Sequence, residues 1–244
     1  MSQLKAVIFG AIGSIAEVAD LERQAFNAAF KQAGLDWKWS AIAYKEFLKT
    51  DGGKARIRAF RDAVPARADV DDKTIDKLHA AKKAGLVELI GQSKLSPRPG
   101  VKELMDACIA ADVKIAWCAP SSTESVKALT KALAKQLPLK DLASTMTLEG
   151  ADAAKTPAKG YSECLNELGL KASDVVAIED TPFGVEAAKA AGICTVATPG
   201  ETAAGQDFSA ADRVVTSLSS VTLEELQKLI EQAKEPAFVN SGHS

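Results

Sequence analysis

A long interval without strands constrains this chain more than any other feature. Ala6–Phe9 is an apolar run that reads as a strand buried on both faces, yet the next such run, Val113–Cys118, begins roughly a hundred residues later. Residues 16–96 carry helical signals instead. Leu21, Ala25, Ala28 and Ala29 share one face of a helix that stops at Gly34; Ala43, Phe47 and Leu48 mark a second. Ile75, Leu78, Leu86, Leu89 and Ile90 line a Lys-rich third. After Ser96–Gly100 (SPRPG) helices and strands alternate: helix Val101–Ala111, strand Val113–Cys118, helix Ser122–Ala134, strand Thr145–Leu148 and helix Gly160–Leu168. Strand Val175–Ile178, helix Phe183–Ala191, strands Cys194–Ala197 and Arg213–Val215 and helix Leu223–Ala233 complete the pattern. Alternation of this kind predicts an α/β protein with a parallel sheet and crossover helices on both faces. The first strand belongs to that sheet, so residues 1–15 plus 97–235 are expected to form the core. Residues 16–96 form an inserted helical cap hinged near Ala16 and Ser96–Arg98, and residues 236–244 a frayed tail.

Ligands in open α/β sheets sit at the C-terminal ends of strands, which directs attention to Gly10-Ala-Ile-Gly13-Ser, to Cys118-Ala-Pro-Ser-Ser and to Glu179-Asp-Thr-Pro. The first of these is not a nucleotide loop. A dinucleotide motif needs its second strand within a βαβ unit of about 30 residues, and a P-loop needs a Gly-Lys-Ser/Thr ending. Neither condition is met. A formal net charge of −2 lacks the basic footprint that nucleic acid demands. No run approaches the roughly 20 apolar residues of a membrane helix, and the N-terminus lacks the pattern of a signal peptide. A cytoplasmic monomer is expected. Cys108, Cys118, Cys164 and Cys194 lie far apart with no CxxC pair and read as buried reduced thiols. His79 and His243 are the only histidines, too few for a zinc site or for ordinary histidine catalysis.

Ordered segments across nearly the whole chain, from LKAVIF through DLERQAFNAAFKQAG, GGKARI, SPRPGVKELM and VVAIEDTPFGVEAAKAAG to SSVTLEELQKLI, resemble the haloacid dehalogenase superfamily. The resemblance is to its branch of CbbY-like phosphatases, phosphoglycolate phosphatases and β-phosphoglucomutases. It implies a Rossmann-like parallel core, an all-helical cap and Mg²⁺-dependent phosphoryl transfer through an aspartyl-phosphate. The pattern after strand one is Asp-x-Asp-Gly, where the first aspartate attacks phosphorus and ligates Mg²⁺ and the second is the acid/base. This chain has Gly10 and Ile12 at those places. Ala119 stands at the Ser/Thr that binds the transferring phosphoryl group, followed by Pro120 and Ser121. Thr156 stands at the lysine before proline, with Lys155 one place early, and Glu22 where a cap histidine is usual.

Glu179 and Asp180 match the fourth motif, whose second acid binds Mg²⁺. Asp180, with Glu179 beside it, is therefore a candidate contact for a weakly held Mg²⁺, the alternative being that Asp180 caps the helix that follows. In the cap, Gly53, Lys54 and Arg56 match a loop that reads the substrate; the alternative is a helix entry with solvated basic residues. Lys54, Arg56, Gly53, Ser121 and Lys155 are the candidate ligand contacts. The function expected is that of a non-catalytic phosphatase-like protein binding a small phosphorylated metabolite or a protein partner. The alternative is an active Mg²⁺-dependent hydrolase using another nucleophile, such as Ser14 or a water.

Overall fold

The computed structural model describes residues 3–10, 12–67, 69–119, 121–147 and 158–233. The first strand, Ala6–Phe9 (β1), sets its layering. Successive side chains of a strand point to opposite faces, and here Val7 and Phe9 enter one buried cluster while Ala6 and Ile8 enter another. Both faces are covered, which is why the strand reads as a continuous apolar run. β1 pairs in parallel with Lys114–Ala119 (β2) on one side and Val175–Glu179 (β4) on the other, with Phe9 opposite both Trp117 and Ile178. Leu142–Thr147 (β3) lies beyond β2, and Cys194–Ala197 (β5) and Arg213–Val214 (β6) lie beyond β4. The sheet order is β3-β2-β1-β4-β5-β6, so β1 is central although the second strand in sequence comes far later.

Ala19–Gln32 (α1), Ala41–Phe47 (α2), Gly53–Asp62 (α3) and Asp72–Gln92 (α4) lie in the chain between β1 and β2. They enclose a cluster of their own: Phe26, Phe30, Trp37, Trp39, Tyr44, Ile57, Ile75 and Leu78. Its centre is aromatic, with the rings of Phe26 and Trp39 4.6 Å apart. Farther along α4, Leu86 and Ile90 join the cluster under the sheet, as does Ala25 of α1. Helices Val101–Ala110 (α5), Thr123–Leu133 (α6) and Leu223–Gln232 (α9) pack on the Phe9 face. Lys159–Leu168 (α7) and Pro182–Ala190 (α8) pack on the Ile8 face.

One strand differs from the sequence reading. β3 begins at Leu142 rather than Thr145: it is an edge strand paired with β2 only, and its mixture of buried Ser144 and exposed neighbours has no apolar run to reveal it. The Gly52-Gly53-Lys54 segment is the start of a helix, the second of its two sequence readings, with Gly52 as N-cap at φ +85°. Among the described residues no helix is long and apolar enough to cross a membrane, and the four cysteines are free and buried.

Candidate functional site

The C-terminal ends of β1, β2 and β4 bring Gly10, Ala119 and Glu179 to one edge of the sheet, because the three strands are adjacent and parallel. Gly10 N–H donates to Ile178 O at 2.8 Å, which holds the end of β1 against β4. Glu179 is 1% exposed, and its carboxylate lies between two glycines. A Cβ on Gly10 would be 2.0 Å from Glu179 Oε1, and a Cβ on Gly184 would be 2.1 Å from Oε2. The Tyr161 hydroxyl, on α7, donates to Oε1. Burial first, and then the Glu179 charge, push the Tyr161 phenol well above its ordinary pKa, so it stays a donor. Glu179 thus fills the space into which any side chain at position 10 would grow.

Ile12 has also been absorbed. It opens a short 3₁₀ turn, Ile12–Ser14, and is buried in the main apolar cluster with Phe9, Ile15 and Ala16. Its carbonyl accepts hydrogen bonds from Ile15 and Ala16 N–H. Position 12 therefore serves packing. Ser14 is fully buried, and Ala119 is fully buried at the end of β2. Ser121 is half-buried just beyond it, its N–H donating to Ala119 O. Lys155 and Thr156 lie outside the described residues.

Asp180 is not a helix cap. α8 starts at Pro182, so the cap is Thr181, whose extended backbone (φ −129°, ψ 150°) lets its hydroxyl accept from Gly184 N–H. Asp180 instead folds against Gly13, where a Cβ would be 1.9 Å from Oδ2. Its Oδ1 is buried with no hydrogen-bond partner. Burial pushes its carboxyl up to about 6, Arg98 opposes this, and Glu17 adds to it.

The donor set does not fit the Mg²⁺ that this fold family uses. Mg²⁺ demands near-octahedral oxygens from carboxylates, water and phosphate. Glu179 is wedged away between two glycines, position 10 supplies nothing, and Asp180 is left as a single carboxylate oxygen donor pair. Among the described residues no group of three His, Cys, Asp or Glu side chains is placed to hold a metal.

Arg98 is the residue that sequence reasoning passed over. It was legible only as part of a hinge, since nothing local shows what a guanidinium reaches. It donates to Gly13 O (3.1 Å), Thr198 O (2.7 Å) and Pro199 O (2.8 Å), and its Nε lies 3.3 Å from Glu17 Oε1. Its own N–H donates to Ile15 O. One side chain thereby ties the loop after β1 to the loop after β5. Arg98→Lys keeps the charge but not the fork of donors. It is expected to cost about 1.5–3 kcal/mol in denaturant unfolding, because several buried carbonyls lose their partners. An unchanged midpoint would show that water replaces the guanidinium.

The helices between β1 and β2 hold a second polar cluster. Glu22 sits one helical turn beyond Val18, and Lys82 one turn before Leu86, and both apolar residues pack into the cluster under the sheet. Lys82 Nζ donates to Glu22 Oε1, the Tyr44 hydroxyl donates to Oε2 at 2.6 Å, and Arg56 Nη1 lies 3.5 Å from Oε2. Burial favours the neutral Glu22 acid, but Lys82 and Arg56 outweigh it and hold the carboxyl at about 2. Lys54 pairs with Asp76 at 2.6 Å on the surface.

Gly53 packs on His79, where a Cβ would be 2.7 Å from Nε2. Burial first, then Lys82, Lys54 and Lys83, pull His79 down to about 4. A histidine kept neutral in the fold but able to charge when unfolded weakens the fold as pH falls from 6.5 towards 4. The loss expected is about 1–2 kcal/mol after allowance for screening at a half-buried ring. His79→Asn should flatten the stability profile over that range in urea titrations; an unchanged slope would assign it to other groups.

A central parallel sheet with a helical block inserted after its first strand defines an α/β fold of the Rossmann-like kind. A family model for haloacid dehalogenase-like hydrolases matches residues 4–192, and the chain belongs to that family. It is 36% identical over 228 residues to protein CbbY of Rhodobacter capsulatus, covering 93% of this chain and 99% of that one. A crystal structure of a mutant CbbY from Rhodobacter sphaeroides in complex with xylulose-(1,5)bisphosphate has a TM-score of 0.78 at 30% identity, over 89% of this chain and 96% of that one. β-Phosphoglucomutase from Clostridium difficile, with a TM-score of 0.73 and 16% identity over 94% of this chain and 98% of that one, shares the fold.

Proposed function

We propose that this chain is a non-catalytic member of its family, a pseudo-phosphatase that binds a small phosphorylated metabolite or a protein partner. The observation that carries the reading is the Glu179 carboxylate in the space beside Gly10, together with Ile12 in the apolar core. Attack on phosphorus needs a carboxylate or hydroxyl that a substrate can touch, and a second group to protonate the leaving oxygen. Position 10 has no side chain, position 12 no ionisable group, and Ser14, a hydroxyl in the same loop, is 0% exposed. The alternative of Ser14 as nucleophile is disfavoured on that ground. Mg²⁺ would be held weakly at most, through Asp180.

The phosphorylated-ligand reading is supported by the complex that CbbY makes with xylulose-(1,5)bisphosphate and by the cations Arg56 and Lys82 in the helical block. In this reading residues 16–96 act as a cap over a core of 1–15 plus 97–235. Gly53, Lys54, Arg56, Ser121 and Lys155 remain the proposed ligand contacts, Arg56 foremost. Four buried free thiols suit a reducing compartment such as the cytoplasm. The test is hydrolysis of sugar phosphates and of a chromogenic phosphate ester in Mg²⁺. No turnover above the uncatalysed rate is expected. Turnover at an ordinary enzyme rate that follows the protein through purification would overturn the proposal.

A further inference from the structure

We infer that the open edge of β3, with the groove it shares with α6, is a docking site for a partner protein that adds an extended strand carrying acidic side chains at alternate positions. This goes beyond the non-catalytic reading, which turnover alone decides.

The strand itself gives the first observation. Among the described residues β3 pairs with β2 alone, so its outer row of N–H and C=O groups faces no strand. Edge strands are ordinarily blunted by a charge or a proline, and Leu142–Thr147 has neither along its six residues. One face of the strand is covered: Ser144 is buried, and its hydroxyl donates to Glu167 of α7 at 2.7 Å. The opposite face, with Thr145 and Thr147, opens into a groove of about 450 Å³ against α6.

The groove has an apolar floor and a basic rim. Thr130 spends its hydroxyl on Val126 O at 2.9 Å, and the hydroxyls of Thr123 and Thr147 meet each other at 3.1 Å, which leaves chiefly methyl groups to line the floor. Lys127 and Lys131 are the charged residues of the lining, both exposed and about one helical turn apart on α6. Among the described residues neither is held in an ion pair. The stretch from Thr123 to Thr147 has Lys127, Lys131, Lys135 and Lys140 against Glu124 and Asp141, a surplus of two positive charges in a chain whose net charge is −2. An acidic partner is the complementary one. Spacing agrees with this. Residues i and i+4 of a helix are about 6 Å apart along its axis, and alternate residues of a strand about 6.7 Å, so carboxylates at i and i+2 of an added strand meet both ammonium groups. Backbone pairing with β3 then supplies affinity, and the two lysines supply the choice of partner.

Fluorescence anisotropy of the full chain with a labelled synthetic peptide of alternating valine and glutamate tests this. The peptide is expected to bind about tenfold or more tightly than its valine–lysine counterpart, and to weaken as salt is raised. N-methylation of the peptide backbone should abolish binding, because the added strand then has no N–H to donate to the edge. Lys127→Glu combined with Lys131→Glu should weaken the glutamate peptide about tenfold or more and admit the lysine peptide in its place, whereas the two Lys→Arg changes should leave the glutamate peptide bound. Should the charge-reversed variant fail to fold, Thr130→Trp provides a second arm: it fills the groove, keeps both lysines and should also block binding. Equal binding of the two peptides, indifference to charge reversal, or binding that survives N-methylation overturns the inference. A dimer in analytical ultracentrifugation that excludes the peptide overturns it as well and gives the edge to a second copy of this chain. Binding of neither peptide also overturns it, and leaves the non-catalytic reading to its own assay.

Discussion

Gly10→Asp is expected to lower stability by about 2–4 kcal/mol and to restore no phosphatase activity. The new Cβ would be 2.0 Å from Glu179 Oε1, inside any real contact distance, so Glu179 must leave its place between Gly10 and Gly184 and give up the Tyr161 hydrogen bond. A second carboxylate would also enter a buried site where Arg98, the cation there among the described residues, is already committed, and like charges at that range oppose each other strongly. Recovered chemistry would need more than the nucleophile. Groups that act as a unit are non-additive, with losses on the order of 10⁶ in kcat when one is removed from an intact set, so a carboxylate returned at position 10 while Ile12 remains apolar gains little. Denaturant unfolding and a phosphate-release assay decide the matter. An unchanged midpoint with measurable turnover would mean that Glu179 moves aside freely and that the crevice is latent, not closed. Combining Gly10→Asp with Glu179→Gln should recover part of the lost stability, because the amide removes one of the two opposed charges.

Lys82→Met is expected to cost about 2–4 kcal/mol, through the partner it abandons more than through its own contacts. Lys82 is 5% exposed, and burial pulls its pKa below the ordinary lysine value while Glu22 resists that pull. Without the ammonium, the Glu22 carboxylate keeps only Tyr44 and the longer contact to Arg56. The double variant Glu22→Gln, Lys82→Met should be markedly less damaging than the sum of the two single ones, which is the signature of a coupled pair. Acidity offers an independent check. Glu22 ionises at about 2 in the fold against 4.5 as a free acid. Its stabilisation is therefore complete above 4.5 and is lost as pH falls from 4.5 towards 2. Glu22→Gln should remove that segment of the acid-unfolding profile. If single and double variants are equally stable, the cluster has no energetic coupling and Lys82 is only a packed chain.

Much of this fold is legible in the sequence. The apolar run at Ala6–Phe9, the strand runs at Val175–Ile178 and Cys194–Ala197, and the helices between them carry local periodicities of two and of 3.6 that survive in any context. The missing carboxylates at positions 10 and 12 needed only the alignment of motif with strand end. Less was legible at the edges: β3 gains its order from backbone pairing with β2 and not from its side chains, and α3 begins at a double glycine that also suits a loop. Asp180 was read as metal contact or helix cap, and one residue of phase gave the cap to Thr181.

By itself, then, the sequence determined the class of fold, the place of the helical insertion and the absence of carboxylates at positions 10 and 12, because each is encoded by neighbours within a turn or a strand. Tertiary structure decided what took their place. Glu179 reaches back to Gly10 across 169 positions, Lys82 reaches Glu22 across 60, and Arg98 reaches Thr198 across 100. Such partners are chosen by packing: a buried carboxylate or guanidinium takes whichever donor or acceptor the folded chain brings within about 3 Å, and no local pattern records which one that will be.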